Sequence, residues 1–333
     1  MVHLRIVIPN HQAQHVLDLL CAMPSVVNVI YLERAAHKPE GDVILCDVAR
    51  EDASVILSDL RELDVHREGS IAIETIDMPI SEAAERAVEA ASGAPSDAVV
   101  WEEVEARTSE NTELSFSFVA FMTIAMLIGA VGISVDQPIL IVGAMIVGPE
   151  FGPLAGLMVA TVEFRGNLAR RSFAALAVGF PIGIAVTAIA TLLIKWTGLG
   201  PDTIENRPFT DFISHPDFFS FMVAYLAGVA GVLSLTSAKS GALIGVLVSV
   251  VTIPAAANVG VAAAYEDWKE FGGALAQLSI NLPTIVLAGI TTLYIQRRFY
   301  VVRRRKHFFD EAREAAGLPL GRSRRSPRQR ARL

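Results

Sequence analysis

The sequence predicts an α-helical polytopic membrane domain of six spans, built as two inverted three-span repeats with broken helices and preceded by an α+β domain. Three observations carry this. The 333-residue chain is 52% hydrophobic with a mean hydropathy of +0.46. Its apolar residues concentrate in residues 114–300, in runs long enough to cross about 30 Å of hydrocarbon at roughly 20 residues each. Residues 1–110 instead mix apolar and charged positions with the periods of strands and helices, and the two halves of the apolar region resemble each other.

The N-terminal elements follow from local pattern. The β-branched run "HLRIVIP" (3–9) predicts a strand. In "HQAQHVLDLLCAM" (11–23), Val16, Leu19, Leu20 and Met23 share a helix face. Residues 26–34 and 41–49 predict two strands joined by a turn at Lys38–Gly41. Residues 50–63 predict an amphipathic helix starting near Asp52 and Ser54. Ile71, Ile73 and Ile76 mark a fourth strand in 69–78. The order βαββαβ predicts a ferredoxin-like, ACT-like domain over residues 1–80. Domains of that shape often bind a small ligand or associate, so an unknown small ligand and a homo-oligomer, dimer or trimer, are expected partners. Residues 81–113 read as a linker of amphipathic helices with capping serines and solvated Glu-rich faces.

His11 and His15 share a helix face and offer metal ligands together with His3 or Cys46. Two exposed histidines at a helix start is the simpler reading, and no metal or other cofactor is expected. Cys21 and Cys46, the two cysteines of the chain, fit a reduced cytosolic setting. The N-terminus reads as a strand and not as a signal peptide.

Spans are expected at about 114–135, 138–163, 172–196, 218–237, 240–264 and 272–296. Arg165, Arg170, Arg171, Lys239 and the run 297–306 fall on one side. By the positive-inside rule both termini are then cytosolic, in a cytoplasmic (inner) membrane. The net charge of −7 hides an asymmetry. Residues 1–110 hold 21 acids against 8 Lys/Arg, and residues 297–333 hold 13 Lys/Arg against 3 acids. The basic tail, 301–333, is expected to pair with the acidic head or to sit on the lipid bilayer. No fold presents it to nucleic acid, and none is expected as a partner.

The repeat rests on matched motifs. "FSFVAF" (116–121) opens the first half and "FSFMVAY" (219–225) the second. Residues 159–181 align without gaps to 261–283, ending on Pro181 and Pro283. An odd number of spans per half makes the second copy enter from the opposite side. Glycines and prolines then predict paired interruptions, at Gly148–Pro153 and at residues 252–260. Freed backbone groups in lipid need partners, so such breaks point to a midplane site. Gly148, Pro149, Glu150, Gly152 and Pro153 form the first candidate set. Thr252, Pro254, Asn258, Asn281 and Pro283 form the second. Glu150 reads either as a proton or cation handle or as the cap of the half-helix 151–163. Polar residues within spans also serve as interhelical glue. Glu163 and Arg165 read as an interfacial ion pair.

"GAMIVGPEFGPLAGL" (143–157), "TIPAAANVGVAAAYED" (252–267) and "NLPTIVLAGITTLYIQ" (281–296) together resemble the DUF389 family of uncharacterised hydrophobic membrane proteins. The resemblance covers about residues 115–296 and implies the membrane architecture, with no activity or substrate attached. The spans hold no nucleophile–base set, metal-ligand cluster or Gly-rich phosphate loop, and His215, the one histidine of the membrane half, falls in an external loop. The expectation is therefore a transporter or channel for a small solute or ion, and not an enzyme. The alternative is a non-transporting, membrane-anchored sensor or scaffold.

Overall fold

The computed structural model of the chain describes residues 1–76, 81–91, 99–110, 112–201, 203–204, 207–237, 244–309 and 311–320. Lys239 and the basic run 321–333 lie outside the described residues. The chain divides into two compact units. The first gathers Met1–Val104, Thr236–Lys239 and Gln296–Leu333, and the second Glu105–Leu235 and Ser240–Ile295.

In the first unit, β1 (Val2–Ile8), α1 (Asn10–Ala22), β2 (Val26–His37), β3 (Glu40–Val48), α2 (Arg50–Glu62), the single turn α3 (Val65–Glu68) and β4 (Ser70–Thr75) follow in order. The strands form one antiparallel sheet in the order β2-β3-β1-β4. Alternation puts Val2, Leu4, Ile6 and Ile8 on one face of β1, where they are buried with Leu19 and Leu20 of α1 and Ile56 and Leu60 of α2. The core also takes Ala312, Ala316 and Leu318. They come from α13 (Glu311–Ala315) and the residues after it, which pack on α1. The start of the basic tail is thus part of the N-terminal core, a placement its composition does not announce.

Cys46 sits in this core, and burial pushes its thiol up to about 12, while Cys21 is exposed. The folded chain holds a proton that the unfolded chain loses above its ordinary value of 9.0, so this group's contribution to stability falls as pH rises from there toward 12. Maleimide at pH 8 is expected to label one thiol in the native chain and both in urea. Equal labelling rates for the two in the native chain would contradict this.

Two helices follow, α4 (Glu82–Ala90) and α5 (Trp101–Glu110). Ser81 caps α4, its hydroxyl accepting from the Ala83 N–H at 3.2 Å. Ser96 lies outside the described residues. The Glu-rich face of α5 is not simply solvated as expected. Arg50, only 6% exposed, pairs with Glu103 at 2.9 Å, and Ser54 donates to Glu102 at 2.7 Å. The same Ser54 oxygen accepts from the Trp101 N–H at 3.0 Å. An arginine buried on α2 needs acids, and α5 supplies them.

The second unit contains α6 (Phe116–Ser134), α7 (Pro138–Val147), α8 (Phe151–Glu163), α9 (Gly166–Trp196), a 3₁₀ turn (Asp211–Ser214), all but the last residue of α10 (Phe218–Thr236), α11 (Ile244–Tyr265) and most of α12 (Trp268–His307). Four of these helices, among the described residues, are long and apolar enough to cross a membrane, and a fifth span arises if the bent pair α7–α8 counts as one. The chain is a membrane protein by that measure. Residues 240–243, the start of the expected fifth span, lie outside the described residues.

Boundaries recur at one spacing. The starts and ends of α6 and α10, the ends of α8 and α11, and the starts of α9 and α12 are each 102 residues apart, the separation also of Glu150 and Thr252. Pro181 in α9 and Pro283 in α12 keep the same spacing. So do two left-handed turns, at Phe164 (φ 56°) and Glu266 (φ 59°). In each, the next residue's N–H returns to a carbonyl five residues back: Arg165 to Ala160 at 2.8 Å and Asp267 to Ala262 at 3.0 Å. The matched "FSF" motifs, read as 116 against 219, are thus one residue out of structural register.

One expectation fails here. Span five is not interrupted at residues 252–260, because α11 runs unbroken from Ile244 to Tyr265 with Pro254 inside it. Its counterpart breaks because Gly148 and Pro149 adjoin, whereas β-branched Val250 and Val251 stand at the matching positions. Pro254 removes one helix hydrogen bond. Nearby, the Asn281 amide donates to the Val251 carbonyl at 2.7 Å, so α12 supplies a side-chain bond to this turn.

Close helix contacts use glycine. A Cβ on Gly228 of α10 would lie 2.5 Å from the Ile285 carbonyl oxygen and 2.8 Å from Ala288 Cβ. Gly228→Val is expected to lose about 1–3 kcal/mol through forced separation of α10 and α12. Thermal denaturation in detergent measures this, and an unchanged midpoint would sink it.

Candidate functional site

The break between α7 and α8 is built from Gly148, Pro149 and Glu150, with the two helices bent by 54°. A Cβ at Gly148 would meet Glu150 Oε2 at 2.5 Å and Ile253 at 2.9 Å, so a larger residue there would displace the Glu150 and Ile253 side chains. Pro153 lies in the first turn of α8, where a missing N–H costs no helix bond. Glu150 stands at the helix start but makes no side-chain cap; only its backbone carbonyl accepts, from the Leu154 N–H at 3.1 Å. The capping reading of its carboxyl group is therefore corrected. The side chain is fully buried and turns to α11, where Oε1 accepts from Thr252 Oγ1 at 2.8 Å.

Pro149 and Gly152 line a cleft of about 390 Å³ at this break, with Glu113, Ser115 and Phe118 beside them and Leu235 opposite. A second cleft of about 260 Å³ is lined by Val251, Pro254 and Gln277, with His215, Asp217 and Ser220 at its rim. Leu235 closes the C-terminal end of α10 and Ser220 opens its N-terminal end, so about 22 Å of helix separates the clefts. The lining positions correspond at the recurring spacing: Ser115 with Asp217, Phe118 with Ser220, Pro149 with Val251, Gly152 with Pro254. The first pair even shares a role. Ser115 caps α6 by accepting from the Phe118 N–H at 3.1 Å, and Asp217 accepts from the Ser220 N–H at 2.7 Å. That backbone N–H is the main reason the Asp217 carboxyl titrates below the usual range. The Glu150–Thr252 bond joins the residue after Pro149, which lines the first cleft, to the residue after Val251, which lines the second.

The remaining candidates separate. Asn258 is not brought to Glu150. Its Oδ1 accepts from Arg207 at 3.2 Å and its amide donates to Glu270 at 3.2 Å, while Arg207 and Glu270 pair at 2.9 Å. Asn258 therefore ties a loop to α11 and α12. Asp136 fastens the same loop through Thr210 at 2.9 Å. Pro283 lies within α12, and neighbouring Thr284 donates to the Ile280 carbonyl at 2.7 Å. Arg165 turns to Glu105, donating through Nη2 at 2.6 Å, in place of the expected pair with Glu163.

The histidine cluster offered by the His11–His15 spacing, set against the simpler reading of two exposed residues, does not assemble among the described residues. His3 lies 2.7 Å from Asp47 and His11 3.4 Å from Glu68. Among the described residues, Asp211, His215 and Glu270 bring donor atoms within 4.8 Å of one another. Glu270 is already engaged by Arg207 and Asn258, so this group makes no metal centre by itself. Sequence reasoning missed Arg207 and Gln277. Gln277 was findable as a polar residue four before Asn281 on one apolar helix.

Residues 145–287 match the family model described as domain of unknown function (DUF389). An uncharacterized protein of Methanocaldococcus jannaschii is 26% identical over 192 residues, 58% of this chain and 58% of that protein. The alignment thus spans just over half of that relative's length. No solved structure matches the chain.

Proposed function

We propose that this chain, which carries a DUF389 domain, is a transporter or channel for a small solute or ion, caught closed at Glu150–Thr252. The observation that carries the reading is that bond: a fully buried acid at a helix break, hydrogen-bonded to α11, each partner next to a residue that lines one of two clefts at opposite ends of α10. An anchor has no use for a buried acid in that setting. The recurring spacing supports six spans in two inverted three-span repeats. Under that reading Glu150 and Thr252 are equivalent positions that meet at the pseudo-twofold axis, and the clefts are each other's counterparts on opposite membrane faces. Arg165, Arg170 and Arg171 favour cytosolic termini in a cytoplasmic membrane. The reading needs no enzyme chemistry.

The strand order β2-β3-β1-β4 supports a ferredoxin-like head, to which we assign regulation of the membrane domain. Ile30 and Leu32 of the edge strand β2 are 50% and 43% exposed and favour association of heads into a homo-oligomer. This observation also fits the second reading, a non-transporting scaffold. Light scattering of proteoliposomes after osmotic steps with alkali chlorides, amino acids and polyols separates the two. Transport requires faster entry of at least one solute than in protein-free liposomes. Identical rates across the panel would leave the scaffold.

A further inference from the structure

We infer that the cleft beside Pro254 binds a monovalent cation, either an alkali ion or the ammonium group of a small amine, through the amide oxygens of Gln277 and Asn281. The two residues stand four apart on α12, hence on one face. Both are at least nine-tenths buried, and neither Gln277 Oε1 nor Asn281 Oδ1 accepts a hydrogen bond among the described residues. A buried amide oxygen without a donor costs about 1–3 kcal/mol, and two of them on one helix face call for a common partner. Asn281 is fixed in orientation, because its nitrogen donates to the Val251 carbonyl and its oxygen must point elsewhere. Gln277 itself lines the cleft, and Asn281 stands one helical turn further along α12, hydrogen-bonded to Val251, another of the lining residues.

Charge selects the ligand class. Among the described residues, Asp217 is the one carboxylate lining this cleft, and it accepts from the Ser220 N–H, which lowers its pKa further. One negative charge at the rim with neutral oxygens deeper in suits a single positive charge. A divalent ion would need more carboxylates. The arrangement also departs from the repeat. The positions matching Gln277 and Asn281 are Ala175 and Gly179, so the other cleft has no such oxygens. A role in helix packing common to both halves would have kept the two sides alike.

The inference rests on the transport reading only for its place in a path, and its test reads binding alone. The melting temperature of the full chain in detergent is measured in NaCl, KCl, methylammonium chloride and N-methylglucamine chloride at equal ionic strength. At least one of the first three is expected to raise it by about 3 °C or more over the bulky N-methylglucamine control. A sodium or potassium effect identifies an inorganic ion; a methylammonium effect identifies an amine. The gain should vanish in Gln277→Met and shrink in Asp217→Asn. No cation-specific gain in the unsubstituted chain overturns the inference, as does a gain that survives in both variants. A gain without flux in proteoliposomes would refute transport and leave the site standing.

Discussion

Asp59→Ala is expected to destabilise the first unit by about 3–5 kcal/mol, the cost of stripping a partner from a buried ion cluster. Asp59 is 1% exposed and holds two groups from the C-terminal segment: His307 Nε2 at 2.6 Å and the guanidinium of Arg313, itself wholly buried. Glu62 takes the other Arg313 nitrogen at 2.8 Å and Arg304 at 3.3 Å. Without Asp59, Arg313 keeps one acid where it had two, deep in a core whose dielectric makes the loss expensive. The acidic head and the start of the basic tail do pair, but as a buried clasp and not as a surface attraction. Urea unfolding of the full chain measures the loss, with Cys46 labelling as a local readout of the core. A shift no larger than that of Asp18→Ala, which removes only an exposed hydrogen bond from Gln14 on α1, would show that the clasp contributes little.

Glu150→Gln is expected to lower solute flux by roughly tenfold or more, the size of one charge-assisted hydrogen bond in a barrier, while the melting temperature stays within a few degrees. Glutamine keeps an oxygen for Thr252, so the closed contact survives. It can neither exchange a proton nor carry charge. The comparison therefore isolates the acid's chemistry from its packing. Flux equal to that of the parent would make Glu150 a structural acceptor and return the function to other groups in the clefts. A collapse in melting temperature of both Glu150→Gln and Thr252→Val would put the bond's weight on folding.

Much of the fold was legible because periodicity reports burial. The alternation in β1, the shared face of Val16, Leu19 and Leu20, and the apolar helices were all readable from residue spacing. The break at Gly148–Pro149 was legible because proline removes a helix bond and the glycine beside it costs helix stability through backbone entropy. The continuity of α11 was not. A lone proline inside a helix bends or breaks it according to what supports the turn, and a side-chain bond to it here comes from Asn281, some 30 residues away. The role of Asn258 was hidden for the same reason. Its partner Arg207 sits in a loop whose sequence carries no period. The clasp of Arg313 on Asp59 joins residues at opposite ends of the chain, and no local pattern encodes it.

Under the proposed inverted repeat the Glu150–Thr252 contact lies on a pseudo-twofold axis, and that placement constrains ancestry. If the two halves of the membrane domain descend from one gene, the ancestral protein was a pair of identical chains. Each residue on the axis then faced its own copy. Two acids in that place would repel in a dry interior, and two threonines would leave nothing to titrate. An acid set against a hydroxyl is open only to a chain in which the copies have been joined and have diverged. On this view, gene fusion made the Glu150–Thr252 pair possible, and the unequal halves mark where selection gained something that symmetry forbade.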